Sequence, residues 1–288
     1  MKIKRGDEIE PIIKAPHSLR VGTKWRLGNA VILNRRRIQH YIDLVIILTQ
    51  KEMKVRYKNS FLGYLWSILH PLAFALVFFM VFKVVMRIGM ENYSLFLIAG
   101  LFPWQWFSSS VNAATGVFLG NASIIKKMNF PKNVILLAVV LQDMLHFVLA
   151  MPVIVFFMVL YGKVPSLCWL YGIPVLLGIQ LLMTYGVSLV VASANVFFRD
   201  IERLTTIFTM LLFYCTPIIY PETMVPERYR GLLNLNPMTP LMISWRNLFV
   251  EGTTNLDFLL TALLYGAVVY ATGYWVYRRL SWKFAEVL

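Results

Sequence analysis

Polar and apolar positions are sorted along this chain rather than mixed. Residues 1–33 are mixed in character, with Pro11, Pro16, Gly22 and Gly28 breaking any long element, and predict a partly ordered tail. From Asn34, a residue able to cap a helix, Ile38, Tyr41, Ile42, Val45 and Leu48 recur at helical spacing, with Gln39, His40, Asp43, Gln50 and Lys51 on other faces. Residues 34–60 are therefore expected to hold an amphipathic interfacial helix of about 20 residues. A soluble surface helix would carry the same pattern.

After residue 60 the apolar runs lengthen. Leu65–Phe82 has no charged residue and is about long enough to cross hydrocarbon. Further runs at Tyr93–Val111, Val134–Leu160, Leu170–Val196, Leu204–Tyr220 and Leu256–Tyr277 predict six spans within residues 61–288. Pro103 is expected to bend the second and His70-Pro71 the first. Between Pro221 and Asn255, four prolines interrupt moderately apolar pieces, which fits either re-entrant helices or an extramembrane loop. The fold class that follows is an all-α membrane protein.

Composition agrees, because 58% hydrophobic residues in 288 exceed what a soluble domain of this size buries. The net charge of +14 raises the question of nucleic acid, yet half of the 28 Lys and Arg precede Leu65 and adjoin a span, so anionic lipid is the expected counter-charge. With the amino terminus inside, 22 of the 28 fall on cytoplasmic segments, and the positive-inside rule predicts both termini in the cytoplasm. No short apolar run with a cleavage site marks a signal peptide. Cys168 and Cys215 lack metal-ligand spacing and read as packing residues, and no metal site is expected.

Four segments carry a resemblance. Arg56–Leu72, Phe102-Pro103-Trp104-Gln105-Trp106-Phe107, Asn121–Pro131 and Phe197-Phe198-Arg199-Asp200-Ile201 are similar to the membrane subunits of ABC exporters for lipid-linked polysaccharides, the group that exports O-antigen, teichoic acid and capsule. The resemblance covers most of the chain from about residue 35. It implies a permease of the bacterial cytoplasmic (inner) membrane that pairs with a second copy of itself and with two copies of an ATPase subunit. O-antigen is the favoured cargo, teichoic acid or capsule the alternatives. The residues agree on one point independently: no G-x-x-x-x-G-K-[ST] phosphate loop occurs, and Gly162-Lys163 is followed by Val164. The chain is expected to bind no cofactor, with ATP and Mg on the partner.

Candidate site residues follow from both lines. Arg56, Tyr57 and Lys58 are placed to grip a lipid pyrophosphate at the inner leaflet, or to anchor on phospholipid generally. Asp143 is an ionisable residue inside a span with His146 three positions on, and it needs a partner or a wet path. It reads as part of a conduit or gate, with His70, or as a tie between helices. Phe102, Trp104, Trp106 and Phe107 could stack on sugar rings or form an interfacial aromatic belt. The resemblance assigns coupling with the ATPase to Ile124, Lys126, Lys127 and Met128 and to Arg199, Asp200, Glu202 and Arg203, residues that otherwise serve as plain topological charge. Two other classes of function fit the sequence less well. A glycan-transferring enzyme lacks converging acid and base groups, and a secondary carrier lacks internal repeats and a chain of buried ionisable residues.

Overall fold

The computed structural model describes residues 23–56, 60–85, 92–127 and 130–288. The chain divides into two units, Met1–Asp43 and Leu44–Leu288. The described part of the first is the opening of helix α1, Thr23–Arg56, so the helix expected from Asn34 starts eleven residues earlier. Residues 1–22 of the expected tail lie outside the described residues.

Within the second unit, α1 turns Val45, Leu48 and Thr49 inward at helical spacing and leaves Ile46 and Ile47 about half exposed. A 3-10 turn at Gly63–Leu65 leads into α2, Trp66–Phe79, which runs through Pro71 and loosens into a π turn at Met80–Val85. Helix α3, Tyr93–Gly120, is longer than the expected run, continuing through Gly116 to Gly120, and it also passes through Pro103. The short α4, Ala122–Lys127, precedes α5, Asn133–Leu160, and α6, Trp169–Asn195, both within a residue of the expected runs.

Helix α7, Ile201–Cys215, stops short of the expected Tyr220. Pro217 is the cause: it disfavours helical backbone at the preceding residue, and Thr216 is extended at φ −102°, ψ 136°. The proline-rich segment then folds into two short helices, α8, Glu227–Leu235, and α9, Met238–Arg246, the latter followed by a π turn at Asn247–Glu251. All nine residues of α9 are buried, whereas α8 buries none. Gly252, at φ +70°, turns the chain into α10, Leu256–Leu280, and α11, Phe284–Val287, closes the order.

Three described helical stretches are long and apolar enough to cross a membrane: Asn133–Leu160, Trp169–Asn195 and Leu256–Lys283. The apolar windows of the first two are 56% buried within the protein, that of the third only 17%. A helix that is apolar yet exposed, as α10 is at Leu260, Leu264 and Val268, is built to face lipid or another apolar surface.

Among the described residues the core has two apolar clusters. The larger joins α3, α5, α6 and α9 around Trp106, Phe147, Trp245 and Phe249. The smaller gathers Phe118, Ile125, Leu189, Tyr277 and Phe284 from α3, α4, α6, α10 and α11. Helices α6 and α10 meet backbone to backbone. A Cβ at Gly273 would lie 2.1 Å from the carbonyl oxygen of Gly186, and one at Gly186 would lie 2.7 Å from the Tyr270 backbone. Small residues that let membrane helices approach closely replace the hydrophobic driving force absent in lipid.

Candidate functional site

Asp143 lies on α5, 3% exposed, where a bare carboxylate would be costly. Its partners come from two other helices. Arg56, the last residue of α1, directs Nη1 to Oδ1 in an ion pair, and Ser110 of α3 donates its hydroxyl to Oδ2 at 2.9 Å. Both carboxylate oxygens are thereby satisfied, and α5 is tied to α1 and α3. The arginine side chain is 42% exposed, so one face reaches the surface. Within a turn of Asp143, Gln142 Nε2 stands 3.4 Å from His146 Nε2, and both side chains are buried. A residue expected at the entrance and one expected in the conduit thus form a single joint, the geometry of an interhelical tie.

Beside this joint α1 and α5 leave a groove of about 450 Å³, lined by Val45, Thr49 and Met53 on one side and Leu141, Met144 and Leu145 on the other, with Gln50 and Lys54 as its polar members. Tyr57 and Lys58, also expected at the entrance, lie outside the described residues. His70 sits in α2, but its side chain is not among those described.

The aromatic cluster of α3 faces inward. Phe102, Trp104, Trp106 and Phe107 are at most 4% exposed, so they are neither a belt on the protein's surface nor open faces for a sugar in this conformation. Their apolar area is used in packing: Trp106 stacks on Phe147 at 5.7 Å and donates its indole N–H to the Val140 carbonyl at 3.2 Å, while Trp104 packs on Phe107 and Phe213.

The residues expected to couple to an ATPase come together at one end. On α4, Ile125 is buried in the smaller cluster and Ile124 half-buried, and Lys126 and Lys127 are exposed; Met128 lies outside the described residues. The turn before α7 and the first turn of that helix leave Arg199, Asp200, Glu202 and Arg203 exposed, while Val196 is buried in that cluster and Phe197 packs against it. Asn195 fixes the turn, donating to the Thr115 carbonyl at 2.9 Å and accepting from the Glu202 N–H at 3.1 Å. Two charged, exposed segments therefore stand on one apolar platform.

Several organising residues escaped the reading of the sequence. Gln180, fully buried on α6, donates to the Pro103 carbonyl at 2.7 Å and accepts from the Trp245 indole at 2.6 Å, tying α3, α6 and α9. A polar residue in an apolar run was its available signal. Arg246 anchors α9 by donating to the Pro217 carbonyl and stacking over Phe96 at 3.9 Å. Asn112 joins α3 to α7 through Thr206 and Thr209 at 3.2 Å each.

A sequence profile described as ABC-2 type transporter matches residues 43–250. The chain belongs to that family. This ABC-2 permease is 45% identical over 249 residues to an O-antigen export system permease protein RfbA of Klebsiella pneumoniae, covering 86% of this chain and 96% of the relative. A protein of the same description from Myxococcus xanthus is 37% identical over 219 residues, 75% of this chain and 84% of the relative. The polysialic acid transport protein KpsM of Escherichia coli is 23% identical over 232 residues, 77% and 90% of the two chains. The chain is accordingly the permease subunit of an ABC exporter.

Proposed function

We propose that this permease, as two copies bound to two ATPase subunits, carries lipid-linked O-antigen polysaccharide across the bacterial inner membrane. The observation that carries the cargo is the 45% identity, over nearly the whole length, with permeases named for O-antigen export. Capsular polysaccharide has the weaker support of 23% identity with KpsM. The need for a separate motor rests on the missing phosphate loop, and ATP and Mg²⁺ belong to that partner.

Six spans place both ends, α4 and the 197–203 turn on the cytoplasmic face, in keeping with the bias of Lys and Arg. α1 lies at the inner interface, and the buried α9 with the exposed α8 forms the re-entrant segment on the outer side, with residues 216–219 leading into it buried in the protein. Arg56, Tyr57 and Lys58 receive the lipid pyrophosphate. Because Arg56 already holds Asp143, a phosphate reaches it as a competitor for one guanidinium. Asp143 and His146 act from behind this entrance, and the exposed charges at Lys126, Lys127, Arg199, Asp200, Glu202 and Arg203 transmit movement of the motor.

The reading is tested in vesicles holding the permease, its co-expressed ATPase and lipid-linked O-antigen. Glycan should reach the far side only with ATP, and Lys126→Glu with Lys127→Glu should leave the permease folded while reducing co-purified ATPase severalfold. Nucleotide-independent transport by the permease alone would sink it.

A further inference from the structure

The groove between α1 and α5 lies apart from the aromatic cluster and the charged coupling segments. It lies beside Asp143, eight to twelve residues from the Asn133 end of α5, about 12–18 Å along that helix. Its volume of about 450 Å³ falls within the range of roughly 300–1,000 Å³ typical of small-molecule sites. Val45, Ile46, Met53, Leu141, Met144 and Leu145 supply an apolar lining, and the one hydroxyl, of Thr49, is taken up by the Val45 carbonyl at 2.8 Å. The polar lining residues Gln50 and Lys54 are both exposed.

Charge is different at its edge. Glu52 pairs with Lys51 at 2.9 Å and Asp143 pairs with Arg56, so both nearby carboxylates are occupied. Lys54, an exposed member of the lining in the last turn of α1, has no carboxylate within ion-pair distance among the described residues. Among the described residues, the site therefore joins a hydrocarbon-lined slot to a cation that no carboxylate pairs.

We propose that this groove seats one acyl chain of an anionic bilayer phospholipid, with its phosphate on Lys54. The seated chain fills the space between α1 and α5 beside the Arg56–Asp143 pair, so the lipid wedges the joint that the proposed entrance uses. The inference rests on the membrane placement of α1 given above, but not on the identity of the exported glycan.

The permease with its ATPase is placed in nanodiscs of phosphatidylethanolamine containing a few per cent of phosphatidylglycerol that carries a diazirine at one chain terminus. After irradiation, peptide mass spectrometry should find adducts on Met53, Met144 and Leu145 at several times the level on the exposed α10 residues Leu260, Leu264 and Val268. Leu145→Trp, which fills the slot, should lower the groove adducts at least fivefold while leaving the α10 adducts unchanged. Lys54→Glu, an exposed change that spares the packing, should lower them at least threefold. Labelling no higher than on α10, or unaltered by Leu145→Trp, overturns the seat. Labelling unaltered by Lys54→Glu overturns the headgroup contact. Displacement of the probe by equimolar polyprenyl phosphate overturns the phospholipid as occupant. Vesicle transport is measured separately, so loss of the seat and loss of the export reading are told apart.

Discussion

The seam between α6 and α10 and the joint between α1 and α5 hold helices together by opposite means. At the seam, Gly186 and Gly273 bring two backbones into contact with no room for a methyl group. At the joint, one ion pair spans the interface and a groove remains open beside it. Close packing has one geometry and fails when that geometry is disturbed. An ion pair with a half-exposed arginine has a second state available, because the guanidinium can turn to another anion. The seam is suited to stay fixed while the joint changes partners.

The largest effect should come from breaking the seam. Gly273→Ala forces its methyl group into the Gly186 carbonyl, and the overpacking should cost about 3 kcal/mol. Thermal size-exclusion in detergent should show a midpoint many degrees lower, or no folded protein. Next comes Arg56→Gln, which leaves Asp143 buried with only Ser110 as a described partner. A fully buried pair broken this way loses roughly 3–5 kcal/mol, and the exposure of Arg56 reduces the expected loss to about 2 kcal/mol.

Asp143→Asn should be milder, about 1 kcal/mol in the same assay, since the freed arginine can turn to water. That asymmetry sharpens the comparison. Equal losses from the two substitutions would mean that the arginine is as confined as the carboxylate. Gly266→Ala should be the smallest change, within about 0.5 kcal/mol, because its Cβ would meet the Ile179 carbonyl at 3.4 Å, an ordinary contact. It separates a glycine required by packing from one that is merely present.

The long apolar runs made α5, α6 and α10 legible almost to the residue, since uninterrupted hydrophobicity is a local property. Asp143 also stood out, as a charge in such a run must be answered. What answered it did not, for Arg56 lies 87 residues away and belongs to a segment whose own pattern pointed to lipid. The α3 aromatics were ambiguous for a related reason: a tryptophan in a membrane helix suits an interface or a core equally, and only the arrival of Phe147, Phe213 and Trp245 decides between them. Nor could α9 be read as buried, because Pro237, Pro240 and its polar residues resemble a loop until Gln180 and the Pro217 carbonyl take up its side chains. Gly266 and Gly273, seven residues apart and so on one helical face, were the visible trace of the seam, although their spacing gave no hint of which glycine mattered.

The backbone contact at Gly186 also has a consequence for biogenesis. Its counterpart is synthesised roughly ninety residues later, an interval of about 5–20 s at ordinary translation speeds. Throughout that delay the nascent α6 exposes a notch shaped for a helix still inside the ribosome, and whatever lipid or insertion factor shelters it must depart when Gly273 arrives.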